Sequence, residues 1–173
     1  MDLTPAQKTV IANDIRNNPT LFNQPFNSDG YQFIADFYNA LAAPDYWVWR
    51  TAVSKAEYVQ QTSAEGTIFS WTGTGFITRS QGERDAWHEL FNSNETANPS
   101  LSQVRQAFTD IFSGGTAPAP ANRTHLATVS RRKADVIEKL LASGGNGSTA
   151  TPSTMGAEGT LIPSQVQDVR ENY

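Results

Sequence analysis

His88 and His125 are the only imidazoles in this chain and there is no cysteine, so acid–base, thiolate and metal chemistry have few side chains to draw on. His88 lies in Asp85-Ala86-Trp87-His88-Glu89, where Asp85 can pair with it across one turn of a helix. With no nucleophile nearby, a surface ion pair accounts for this spacing better than catalysis does. His125, beside Arg123 and Thr124 in the first turn of an expected long helix, reads as an ordinary exposed residue. The two histidines do not stand at metal-ligand spacing. Thr72-Gly73-Thr74-Gly75 has a superficial likeness to a phosphate-cradling turn, but the Lys-Ser/Thr of a P-loop is missing and no βαβ unit surrounds it. Arg131, Arg132 and Lys133 can meet DNA or an acidic partner, although a solvated helix face is the simpler reading. This inventory predicts a protein that is not an enzyme and carries neither cofactor nor metal.

Composition narrows the partners. The net charge of −4, from 13 Lys+Arg against 17 Asp+Glu, offers no counterion-release drive, so DNA can pass the protein without being held. At 173 residues one compact body is the expectation. Hydrophobic residues at 38% and charged residues at 17% are both low, so part of the chain is expected to lack a core. The absence of cysteine suits a reducing cytoplasm. No apolar run approaches the roughly 20 residues of a membrane span, and MDLTPAQKTV lacks the order of a signal peptide, so no membrane role is expected. The glycosylation triplets at Asn94, Asn122 and Asn146 are then chance matches.

The elements that must position these residues read as mainly α. Thr4-Pro5-Ala6-Gln7 is a capping box opening a helix to about residue 17, where Asn18-Pro19 stops it. Residues 20–27 form a loop with Leu21, Phe22 and Phe26 tucked inward. A helix over about 28–42 carries Phe33, Ile34, Phe37, Tyr38 and Leu41, the most aromatic face and the expected core. A short helix follows from Pro44 through Arg50, with a second capping box at Ser54-Lys55-Ala56-Glu57 and an end near residue 62. Trp47 and Trp49 cannot share a helical face, which makes Trp49, with Arg131 and Arg132, an interface candidate. Residues 63–78 suit a short hairpin or an ordered loop. Helices over about 78–92 and from 98 to 112 precede a polyproline connector over 114–121, and a long helix spans about 121–142. These make a compact helical bundle domain over 1–142. Residues 143–173 follow as an extended C-terminal arm, whose apolar tip Leu161, Ile162, Val166 and Val169 forms a short terminal helix.

ASGGNGS at residues 142–148, TPSTMGAEG at 151–159 and VQDV at 166–169 resemble a family of tailed-bacteriophage and prophage proteins that carry ATGTGS, a SPATMGFEG-like stretch and QDV. The likeness extends through Asp29-Gly30, Trp49-Arg50, NPSL at 98–101 and FTDIFSG at 108–114, and so covers most of the chain. Ala157 stands where the family usually has an aromatic, which weakens the anchor expected of the arm's middle. The resemblance implies a structural virion protein, mostly described as hypothetical in the family. Head-to-tail adaptors, small helical domains whose C-terminal arm lies along the portal, match this plan. The implied protein is thus an adaptor or connector in a homo-oligomeric, twelve-fold ring at the virion neck, assembled in the host cytoplasm. Its partners would be the portal protein above and a downstream tail or nozzle protein below, with genomic DNA passing unheld. The implied partner-binding arm comprises Pro152, Met155, Gly156, Glu158, Gly159, Leu161, Ile162, Val166, Val169 and Tyr173. A capsid decoration or tail-associated protein is the alternative, with a cytoplasmic binding module or a small enzyme behind it. Removing residues 161–173 is expected to leave the body folded, and an arm packed into its own monomer would undo the connector.

Overall fold

The computed structural model describes residues 1–60, 62–63, 65–71, 75–91 and 95–173. In chain order its elements are α1 (Pro5–Asn17), α2 (Pro19–Phe22), α3 (Ser28–Asn39), β1 (Trp47–Trp49), β2 (Val53–Ser54), α4 (Lys55–Gln60), α5 (Gln81–Glu89), β3 (Thr96–Ala97), α6 (Ser102–Ile111), α7 (Ala119–Val129), β4 (Arg131–Lys133), α8 (Val136–Leu140) and α9 (Pro163–Asn172). The strands make two two-stranded sheets, β1 with β4 and β2 with β3, the latter antiparallel with Val53 opposite Ala97. The chain divides into two compact units, one formed by Met1–Val48 with Lys133–Tyr173 and one by Trp49–Arg132, each with its own core.

The first unit begins as the capping box dictates. Gln7 N donates to Thr4 Oγ1 while Thr4 N donates to Gln7 Oε1, and Pro5 fills the first helical position. Asn18 then closes α1 and caps α2, its Oδ1 accepting from Thr20 N. In α3, Tyr31, Ile34, Ala35 and Tyr38 recur at helical spacing and are buried. They pack with Ile11, Ile15 and Leu21, and with Ile137, Leu161, Val166 and Val169 from the far end of the chain.

The second unit is built around aromatic rings. Trp87 of α5 stacks on Phe69 at 5.5 Å and meets the edges of Phe91, Phe112 and Phe76, while Tyr58 adds edge contacts to Phe108 and Phe91. Its helix starts follow side-chain chemistry. Ser54 and Glu57 exchange hydrogen bonds at α4, as Ser80 and Glu83 do at α5. Burial of Glu57 opposes its charge, but the hydrogen bonds from Ser54 and Arg50 prevail and hold its carboxyl below the usual range.

Several expectations are overturned. The chain is not a mainly α bundle followed by an extended arm: only about half of the described residues are helical, in short pieces, with two small sheets between them. The long helix over 121–142 is divided, because Thr128-Val129-Ser130 is a run of weak helix formers and neighbouring backbone offers better partners. Arg50 N donates to Ser130 O at 2.9 Å, and Ala134 N donates to Tyr46 O at 2.8 Å. Arg131-Arg132-Lys133 is therefore strand, not a solvated helix face. Trp47-Val48-Trp49 is also strand, which puts the two tryptophans on one side after all. The polyproline connector is a turn that leads into α7 at Ala119. Among the described residues of 63–78 there is no strand; residues 64 and 72–74, on which the choice between hairpin and ordered loop also rests, lie outside the described residues.

Candidate functional site

The segment expected to reach a partner is fastened to its own unit throughout. Ser143 and Thr154 exchange backbone hydrogen bonds at 2.9 Å, and Ser153 N donates to Trp47 O at 3.0 Å. Trp47 N donates to Gly147 O at 2.7 Å, which lays Gly147, at φ +71°, against the Tyr46 ring, with no room for a Cβ. Gly147→Ala should thus cost at least about 1–2 kcal/mol from its left-handed backbone alone, before the clash, and a lowered melting temperature will register it. Gln7 Nε2 donates to Gly156 O at 2.8 Å. Asn39 clamps Leu161 at both backbone groups, each at 2.8 Å.

α9 completes the closure. Leu161, Val166 and Val169 are 0–1% exposed. Lys8 Nζ meets Asp168 Oδ2 at 2.7 Å, a hydrogen bond that holds the Asp168 carboxyl below its ordinary range. Tyr31 donates to Glu171, and Arg170 donates to the carbonyls of Phe22, Gln24 and Pro25 while lying 3.8 Å from the Phe26 ring. Phe22 and Phe26, expected to be tucked away, are 54% and 67% exposed. Of the expected arm residues, Pro152 is also buried, Met155 and Tyr173 are half-buried, and Gly156, Glu158, Gly159 and Ile162 keep exposed surface.

The other sequence candidates are reassigned as well. His125 is fully buried, not exposed: one ring nitrogen lies 2.7 Å from the Tyr58 carbonyl, which only accepts, so Nε2 is the donor, and Nδ1 faces the Thr67 hydroxyl at 3.1 Å. Asn122 is buried too, and its amide exchanges two hydrogen bonds with the Ser70 backbone, a role incompatible with glycosylation. His88 is exposed, with Nδ1 3.2 Å from Lys55 Nζ, while Asp85 accepts from Gln81 instead. Arg131 pairs with Glu65 and its side chain is 10% exposed, Arg132 is half-buried, and Lys133 meets Asp45 at 2.8 Å. Trp49 is half-buried beneath the Arg105 guanidinium.

A groove of about 440 Å³ lies in the first unit, walled by Phe37, Leu41, Val136 and Leu140 from α3, the chain after it and α8. Asp14 and Lys139 bring opposite charges to its lining. Leu41 is 63% exposed although its neighbours are fixed: Ala42 N donates to Ala134 O at 3.0 Å and Val136 N to Ala40 O at 2.9 Å. Such a wall can receive apolar side chains of another protein. Sequence reading missed it because its two sides lie about a hundred residues apart; the signal available was Leu41 at the end of an aromatic stripe. Among the described residues no group of three or more His, Cys, Asp or Glu is placed to hold a metal ion, and no helix is long and apolar enough to cross a membrane. No family model matches the chain, and it matches no curated protein and no solved structure.

Proposed function

We propose that this chain is a non-catalytic structural protein of a tailed-phage particle, held in place by preformed surfaces of its folded units. The observation that carries the reading is where the residues of the phage-family resemblance fall. In its C-terminal part, Gly147, Ser153, Gly156, Val166, Asp168 and Val169 each fasten the segment to its own unit, while farther upstream Trp49, Phe108 and Thr109 line a small pocket. Residues shared along an enzyme lineage would be expected to gather around reacting atoms, whereas a lineage of structural proteins has the fold itself to keep.

The connector reading rested on a free arm, and that basis is gone because Leu161, Val166 and Val169 of the arm's apolar tip are interior, Ile162 alone staying exposed. The reading kept is coarser: a particle subunit whose partners are other particle proteins or further copies of this chain, with capsid decoration and tail association both open to it. The groove beside Leu41 is a surface suited to such contacts. Quantitative mass spectrometry of gradient-purified particles tests it. The chain should be present at a fixed copy number per particle; its confinement to the soluble lysate overturns the proposal.

A further inference from the structure

The second unit holds a small pocket of about 150 Å³ lined by Trp49, Arg105, Phe108, Arg123 and Ala127, with Thr109 and Ser130 completing it. Two arginine side chains line this space. Arg105 lies with its Cζ 4.6 Å from the Trp49 ring centroid, and its Nη1 donates to the carbonyls of Pro99 at 2.6 Å and Ser100 at 2.9 Å. Arg123 is held in the same manner, its Nη1 donating to the carbonyls of Phe112 and Gly114. Each side chain is thus fixed through one nitrogen, and among the described residues its remaining N–H donors have no further hydrogen-bond partner.

Among the described residues neither arginine meets a carboxylate. In the same unit Arg50 meets Glu57, Arg79 meets Glu83 and Arg131 meets Glu65, whereas Arg84, like the two pocket arginines, is held by uncharged oxygens. Burial pushes the Arg105 guanidinium toward a lower pKa, the mark of a cation that has lost water without gaining a counter-charge. Two arginines lining one pocket, one of them lying over the Trp49 ring, offer the kind of fork that a carboxylate meets with parallel hydrogen bonds.

We propose that the pocket lined by Trp49, Arg105 and Arg123 binds a carboxylate of another protein chain, either an Asp or Glu side chain or a free C-terminus. The apolar surfaces of Trp49, Phe108 and Ala127 suit the methylenes behind such a group, and the volume admits a carboxylate with a short stem. A nucleic-acid phosphate is disfavoured, because its flanking esters do not fit a recess of this size and the chain's net charge of −4 repels a polyanion. The proposal does not depend on the phage reading, since any acidic partner segment would satisfy it.

The test follows the Trp49 indole and arginine Nε–H resonances of the full chain by NMR at constant ionic strength. The probes are acetyl-glutamate methylamide for a side chain, acetyl-alanyl-alanine for a C-terminus, and inorganic phosphate. Saturable shifts with one or both carboxylate probes are expected, and the tighter of the two identifies the source. Arg105→Gln and Arg123→Gln should each weaken binding roughly tenfold or more. Should either variant fail to fold by circular dichroism, Arg105→Lys and Arg123→Lys keep the charge but lose the fork, and the same weakening is expected. Tighter binding of phosphate, no saturable shift, or unchanged affinity in a folded variant overturns the proposal.

Discussion

Truncation before residue 161 will unfold the unit made by Met1–Val48 and Lys133–Tyr173, and the protein will lose its cooperative thermal transition for that part. Leu161, Val166 and Val169 are 0–1% exposed and belong to the same cluster as Ile11, Ile34 and Tyr38. Burying each stabilises by about 1.5–3 kcal/mol, roughly 5–9 kcal/mol in all. That is comparable to the whole stability of a small domain, about 5–15 kcal/mol. The loss also strands the Asn39 amide and leaves Lys8 without Asp168. The effect will appear as reduced helical signal and a lower melting temperature by circular dichroism, with fast amide exchange in α1 and α3. Wild-type melting of the truncated chain would show that α9 contributes nothing to the core. Val166→Asp is the subtler version, a charge placed where no water reaches, and it should fail in the same unit.

Trp87→Ala will be the most damaging single substitution in the second unit, at about 3–5 kcal/mol. The indole is fully buried and touches Tyr58, Phe69, Phe76, Phe91, Phe108 and Phe112, so no neighbour can move in without leaving its own partners. Trp87→Phe should cost far less. Among the described residues the buried Trp87 Nε1–H has no hydrogen-bond partner, and an unsatisfied buried donor carries a penalty of about 1–3 kcal/mol that phenylalanine removes. Chemical denaturation of both variants, followed by near-ultraviolet circular dichroism, checks the ordering. Equal destabilisation would mean that the indole nitrogen carries no penalty.

The sequence made the local chemistry of the helix starts readable and concealed what depends on distant partners. Thr4 with Gln7 and Ser54 with Glu57 work as capping boxes because their whole mechanism lies within four residues. The long helix over 121–142 failed at Ser130, where the deciding hydrogen bond comes from Arg50, eighty residues earlier. The glycine-rich stretch over 143–160 was misread for the same reason. It has few apolar side chains of its own, and its order comes from backbone bonds to Trp47 and from the side chain of Gln7, which no periodicity announces. His125 and Asn122 look like surface residues by type, and only the carbonyls of Tyr58 and Ser70 explain their burial. The apolar groove and the paired arginines were equally hidden, since each is assembled from elements with no spacing in common.

The unit that encloses α9 is written in two instalments, with residues 49–132 between them. During synthesis the intervening unit emerges as one uninterrupted stretch and can condense while the ribosome is still reading. The first forty-eight residues must wait, their apolar faces uncovered, until Leu161, Val166 and Val169 leave the exit tunnel. α9 therefore acts as a latch on α1, which is made long before it.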